Sequence, residues 1–402
     1  MSAETDWGLI SSYAGLLSLA TISIYAGSHG SVTLRKTKRA EGKETTAEAE
    51  DEDEEEDIPD RLSSQDAYLF PVIGSVVLFG LYLVVKYFGH DWINWLLQWY
   101  FAFAGVGSVS KSFVSIVRCT LGRERWRQFD RIQLLCLKGR RELVRFSIRT
   151  PSLILIPLGA LPSIMYNFGP GTTRKSGLLT DMLALSFAHN ALALLKIDSF
   201  QTGCVLLSGL FLYDIWWVFG TEVMVKVATT LDVPIKILWP KSLTFSTEHG
   251  FTMLGLGDIV VPGLFIALAL RYDYHRSEKA VQSASYNKPY FYASLFAYVT
   301  GLVTTMSVMH FFGHAQPALL YLSPTCMISF FITAFSTGDF AQAWAWSDEP
   351  EKPKGEHDEA EAPTTRGDAD TAVTTSARDG AGGLEDTDDQ SLDEGKALKK
   401  RR

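Results

Sequence analysis

The chain has 402 residues, 47% of them hydrophobic, with a formal charge of −8. The charge is segregated: residues 41–64 hold twelve acids against two bases, residues 347–402 hold sixteen against nine, and the remainder is net basic. The four cysteines lack the spacing of a disulfide framework or a zinc site, and neither a phosphate-binding loop nor a nucleic-acid module is present.

A membrane span needs about 20 mostly apolar residues. Nine runs meet that length approximately: 8–27, 67–85, 93–109, 151–168, 177–195, 200–220, 251–270, 290–312 and 317–335. The first follows Asp6-Trp7 rather than a basic stretch, and it reads as a retained span rather than a cleaved leader. Runs of this length fit helices, because barrel strands are about half as long and alternate. The expectation is an all-α polytopic membrane protein, a bundle of nine transmembrane helices. Its organisation would be a first span in 1–28, an acidic cytosolic linker in 29–66, a membrane core in 67–336 and a cytosolic tail in 337–402. The acidic segments read as solvated and disordered.

Basic residues in the loops set the orientation. Eleven lie in 111–150, four in 271–289, and Arg35, Lys36, Lys38 and Arg39 follow the first run. The alternate loops are poor in them. The bias predicts a lumenal N-terminus and a cytosolic C-terminus. Loop 111–150 also carries Trp126, Phe129, Leu134, Leu135 and Leu143, which suits either an amphipathic segment on an anionic leaflet or a plain topogenic loop.

Two charges stand where charge is costly. Asp258 is the one ionisable group in the run FTMLGLGDIVVPGLFIALAL, and Asp214 lies in FQTGCVLLSGLFLYDIWWVFG. A carboxylate deep in a membrane helix costs about 2.5–3.5 kcal/mol on insertion scales, so it marks function by default. Asp214 precedes the end of its run by six residues and Asp258 follows the start of the next by seven. If both runs are helical, the two acids sit roughly 10 Å below the same face. Paired carboxylates share a proton. One can then activate a water while the other polarises a carbonyl, with neither metal nor cofactor. An ion or proton pathway would use the same acids, but no repeat between halves supports a transporter. A scaffold that binds membrane segments without cutting them is a further alternative.

Gly255 and Gly257 precede Asp258, and Pro262-Gly263 follow it. They weaken the helix there and expose backbone that could pair with an extended substrate. His189 and Asn190 suit interhelical hydrogen bonds. Asp181 is placed where its carboxylate reaches headgroup water.

Tyr213-Asp214, Gly255-Leu256-Gly257-Asp258 and Pro317-Ala318-Leu319 follow one another on the sixth, seventh and ninth runs. In these motifs the chain resembles the GxGD intramembrane aspartyl proteases over roughly 67–336. It is closer to the signal peptide peptidase branch than to the presenilins, because the link between the two acids is short. The large lumenal N-terminal domains of other branches do not fit, with about seven residues before the first run. The resemblance implies a presenilin-like fold and assigns Asp214 and Asp258 as the catalytic pair. It further implies that Tyr213 supports Asp214, that Gly255, Leu256 and Gly257 shape the neighbouring subsite, and that Pro317, Ala318 and Leu319 position substrate. Implied substrates are signal-peptide remnants and type II transmembrane segments. Candidate partners are the lipid bilayer, endoplasmic-reticulum degradation machinery and further copies of the chain. Lys399 and Lys400 have the spacing of a dilysine retrieval signal for the endoplasmic reticulum. Glu222 departs from the usual family residue, and the acidic segment near 41–64 is longer than expected.

Overall fold

In the computed structural model, the described residues are 3–32, 61–122, 125–126, 128–138, 141–169, 177–224, 227, 233–241, 250–279, 288–313 and 316–348. Most of the acidic linker, nearly all of the tail, and Lys399 and Lys400 lie outside them. The helices are α1 (Ala3–Gly30), α2 (Ser64–Phe88), α3 (His90–Leu121), α4 (Thr150–Phe168), α5 (Gly177–Leu194), α6 (Phe200–Phe219), α7 (Gly257–Lys279), α8 (Pro289–Phe312), α9 (Leu319–Thr337) and the short α10 (Phe340–Ala345). Three two-stranded sheets accompany them. β1 (Arg61–Leu62) pairs in parallel with β4 (Lys196–Ile197), β2 (Arg131–Lys138) antiparallel with β3 (Arg141–Arg149), and β5 (Lys236–Pro240) antiparallel with β6 (Phe251–Gly255).

Eight described helices, α1–α6, α8 and α9, are long and apolar enough to cross a membrane. Their outward faces are apolar: on α2, Val72, Ile73, Val76 and Val77 are each more than half exposed. A protein in water does not present such a face. The chain is a polytopic all-α membrane protein. The seventh helix is different in kind. Leu264 through Leu270 are 4% exposed or less, and α7 packs against α1, α5, α6, α8 and α9. A helix that is apolar all round belongs inside its neighbours rather than against lipid. Phe265 and Phe200 meet edge to face there, and Phe200 stacks on Phe330 of α9.

The helices approach closely where side chains are small. On α3 and α4, a Cβ built on Gly105 would lie 2.6 Å from Ser163 Oγ, and one on Gly159 would lie 2.7 Å from the Ser110 Cα. Ser110 Oγ donates to the Ile156 carbonyl at 3.0 Å, and Ser163 Oγ to the Ala102 carbonyl at 2.9 Å. Small residues with hydrogen-bonding side chains are how helices associate when lipid competes for apolar surface. Asn190 plays the interhelical part expected of it: its Nδ2 donates to Ser108 Oγ at 2.8 Å, joining α5 to α3.

Four expectations change. α3 runs twelve residues past the predicted end of its span, and the basic loop carries the two antiparallel strands Arg131–Lys138 and Arg141–Arg149, neither a surface-lying amphipathic segment nor a plain loop. Its sequence alternates apolar and polar residues with period two, most clearly in Arg141–Arg149, which is a strand signal. The linker ends before its expected boundary, because Arg61–Leu62 join β4 and α2 starts at Ser64 with a capping box between Ser63 and Asp66. The seventh run is not helical from its start: Phe251–Gly255 is strand, and α7 begins at Gly257. The packed core also extends past the expected tail boundary at 337. Trp344 and Trp346 pack on the core cluster, Ser347 bridges to Ser199, and the Arg271 Nε lies 2.8 Å from Asp348 Oδ2.

Just beyond α9, Asp339 accepts from the hydroxyls of Thr337 and Tyr290 and pairs with Arg276 at 3.3 Å. Burial alone would push its carboxyl up, but these hydroxyls and the guanidinium outweigh it and hold it below its ordinary value. A depressed carboxylate stabilises the fold above its unfolded value, at ~pH 4, and that contribution is lost as pH falls through the folded value. Asp339→Asn is therefore expected to lower thermal stability at neutral pH and to flatten its decline below ~pH 4, as read by melting across a pH series.

Candidate active site

Asp214 sits near the end of α6, 4% exposed. Its Oδ2 accepts the backbone N–H of Leu319 at 3.2 Å. The first amides of a helix have no partner within it, and Ala318, at the cap position of α9, has no side chain to offer one. Asp214 performs that capping from another helix. The Pro-Ala-Leu segment is thereby tied to the acid through Leu319, with Ala318 and Leu319 buried beside it.

Asp258 is the second residue of α7 and is half-buried. It is near enough to Asp214 for the two carboxylates to interact electrostatically. A Cβ built on Gly255 would lie 3.3 Å from Asp258 Oδ2, tighter than ordinary contact, whereas Gly257 has open space around it. The two glycines of the motif thus differ. Gly255 keeps the strand end off the carboxylate, and Gly257 leaves room beside it. Leu256 N–H donates to the Ile235 carbonyl at 2.9 Å and its own carbonyl starts α7, so it fixes the strand-to-helix corner. Tyr213 turns toward α2, where its ring lies 3.6 Å from a Cβ built on Gly74. No hydrogen bond joins it to Asp214 among the described residues. Pro317 precedes the first turn of α9, with its carbonyl accepting from Leu320 at 3.3 Å.

The hairpin β5–β6 leads directly into Asp258, and its two edges are unlike. Antiparallel residues alternate between bonding to the partner strand and pointing away. Leu256 bonds to Ile235, and Lys241 N–H donates to the Gly250 carbonyl at 3.0 Å. By the register, Thr252 and Leu254 continue that inward series. Phe251, Met253 and Gly255 therefore turn their N–H and C=O groups to the other side. That outer edge of β6 ends three residues from Asp258. The opposite edge, on β5, is engaged: Leu238 N–H donates to Asp181 Oδ1 at 2.7 Å. Asp181, expected to face headgroup water, instead holds a strand.

Two buried polar groups were not singled out from sequence. Tyr298 of α8 is fully buried and electrostatically coupled to Asp258, and its hydroxyl has no hydrogen-bond partner among the described residues. Ser323 of α9 is equally buried, with an unpartnered Oγ. A tyrosine and a serine in membrane helices carry no sequence signal of their own. Glu222 is exposed, and no cluster of metal-ligating side chains occurs among the described residues.

Residues 52–350 match the family model for signal peptide peptidase. The chain is 35% identical to the signal peptide peptidase of Mus musculus over 369 residues, covering 90% of each chain. It is likewise 35% identical to that of Homo sapiens over 352 residues, covering 86% of this chain and 85% of the human one. A probable intramembrane protease of Schizosaccharomyces pombe is 32% identical over 321 residues, covering 80% of this chain and 94% of that protein. The two coupled carboxylates, reached from adjacent helices and opening on a strand edge, thus sit in a chain that belongs to the signal peptide peptidase family of intramembrane proteases.

Proposed function

We propose that this protein is an aspartyl endopeptidase that cuts transmembrane segments within the bilayer of the endoplasmic reticulum. The observation that carries the reading is that Asp214 and Asp258 lie within electrostatic reach of each other beside the outer edge of β6. One carboxylate, ionised, takes a proton from water as the water oxygen bonds to the scissile carbonyl carbon. The other, protonated, donates to the carbonyl oxygen; the first, now carrying the water's proton, protonates the leaving nitrogen as the C–N bond breaks, and the second takes its proton back from a hydroxyl of the tetrahedral intermediate as the carbonyl re-forms. Products are a carboxylic acid and an amine, and no cofactor enters.

A peptide bond inside a helix is shielded by its own turn, so substrate must unwind. The outward N–H and C=O groups of Phe251, Met253 and Gly255, without a backbone partner among the described residues, offer the unwound chain a strand to pair with. Pairing there would lay the scissile bond beside Asp258, in the open space at Gly257. Leu319, held by Asp214, borders the same site. Signal-peptide remnants and type II segments suit it, being short, apolar and already in the membrane.

The basic loops support a lumenal N-terminus and a cytosolic C-terminus, and Lys399 and Lys400 support retrieval to the endoplasmic reticulum. The test is cleavage of a synthetic signal-peptide segment by the solubilised full chain, with products identified by mass spectrometry. Cleavage at one or a few adjacent bonds, blocked by a peptide whose scissile amide is replaced by a hydroxyl-bearing isostere, is the expected outcome. Cleavage blocked by a chelator but not by the isostere would overturn the aspartyl assignment.

A further inference from the structure

We propose that Asp181 is a positioning residue for proteolysis: by holding β5 at its outer edge, it leaves β6, beside Asp258, as the edge of this hairpin that an incoming chain can join. This rests on the strand-pairing reading given above.

Asp181 lies on α5, one turn beyond Gly177, and residues four apart share a helix face. Both touch the hairpin. Asp181 Oδ1 accepts the Leu238 N–H at 2.7 Å. A Cβ built on Gly177 would lie 3.2 Å from the Phe251 ring and 3.9 Å from the Leu238 Cβ. Leu238 opposes Met253 in the register, so its amide belongs to the series that points away from β6. Of the other outward positions on β5, Pro240 has no N–H to give. A strand adding on this side would meet an occupied amide and a missing one. It would also have to displace α5, against which β5 packs.

On its buried face the same hairpin is seated on α1. Ser12 Oγ and Thr252 Oγ1 lie 2.8 Å apart, and a Cβ on Gly15 would overlap the Trp239 ring. Packing on α1 fixes the height of the sheet, and the Asp181 contact fixes which edge is free. An edge strand with unpaired groups is a template for any extended chain, so two open edges would give a substrate two docking places, one of them remote from the acids. A carboxylate suits the task because its ionised form only accepts hydrogen bonds and offers no donor of its own to a substrate strand.

The expected result concerns binding and register more than the chemical step. In solubilised full-length protein, Asp181→Ala should raise KM for a transmembrane substrate about 3- to 10-fold, the range of one lost hydrogen bond. It should leave kcat within about 2-fold of wild type and spread cleavage over neighbouring bonds. Asp181→Asn keeps an acceptor oxygen and should restore both KM and the cleavage pattern. Should Asp181→Ala fail to accumulate, Leu238→Pro removes the donor and leaves the acid, and it should show the same spread. Unchanged KM and cleavage pattern in Asp181→Ala, or in Leu238→Pro where that variant stands in, overturns the proposal, as does an Asp181→Asn variant as defective as Asp181→Ala. A substrate N-methylated on backbone amides flanking the scissile bond separates the two readings. If methylation does not weaken binding to the wild type, strand pairing itself fails. If it does weaken binding while Asp181→Ala behaves as wild type, only the role of Asp181 fails.

Discussion

Asp214→Asn and Asp258→Asn are each expected to lower cleavage of a transmembrane substrate by at least about 10²–10⁴-fold, the range attributed to a single general acid or base. Both variants should remain folded. In Asp214→Asn the side-chain amide oxygen can still accept the Leu319 N–H that Asp214 now accepts at 3.2 Å, so the start of α9 keeps its cap. Alanine is the more damaging change at this position. It would leave a buried backbone donor without a partner, at a cost of about 1–3 kcal/mol. The predicted order of melting temperature is therefore wild type and Asp214→Asn together, with Asp214→Ala below them, while both variants are inactive. No equivalent backbone contact to Asp258 was found among the described residues, so its Ala and Asn variants should melt alike. Activity in solubilised protein and melting in the same detergent check both halves. Full activity in either Asn variant would remove that residue from the dyad.

The second large effect is on stability alone. Gly159→Leu is expected to cost about 1–3 kcal/mol, the usual range for overpacking. The obstacle is backbone: a Cβ at residue 159 would lie 2.7 Å from the Ser110 Cα and 2.9 Å from its nitrogen, so no rotamer change makes room. α3 and α4 must separate, breaking the Ser110 and Ser163 bonds across their interface. Neither helix carries a residue of the proposed catalytic site. Initial rates per folded molecule should stay near wild type while thermal inactivation becomes markedly faster. A variant that inactivates no faster than wild type would show that the interface yields.

The acids were legible because each is a lone charge in a long apolar run, and the three motifs around them occur in order. The helices were legible for the same reason, as unbroken apolar length. The hairpin before Asp258 was not. FTMLG is apolar throughout, and a short apolar run reads equally as buried strand or buried helix. Its assignment to a helix made the two acids match in depth at 1.5 Å per residue, yet a strand advances more than twice as far. The carboxylates come within electrostatic reach because β6 and the corner at Leu256 deliver Asp258 to the start of α7, not because two helices run to equal depth. Asp181 was visible only as one more acid near a span end; its meaning depends on Leu238, 57 residues away, pointing out of a sheet that the sequence does not announce. Tyr298 and Ser323 depend on the packing of α8 and α9 in the same way.

The ion pair between Arg271 and Asp348 has a consequence for how the protein is made. Arg271 belongs to α7, the helix enclosed by five others, and its guanidinium is 6% exposed. Its partner carboxylate is translated 77 residues later, after α8, α9 and α10. Until Asp348 leaves the ribosome, the guanidinium has only earlier groups around it, the Ile197 carbonyl at 3.1 Å, Ser31 and the field of Asp198, and the closest carboxylate tie of the buried helix is missing. The central helix thus receives its last tie from the end of the core, so the fully paired core exists only once residue 348 has been made.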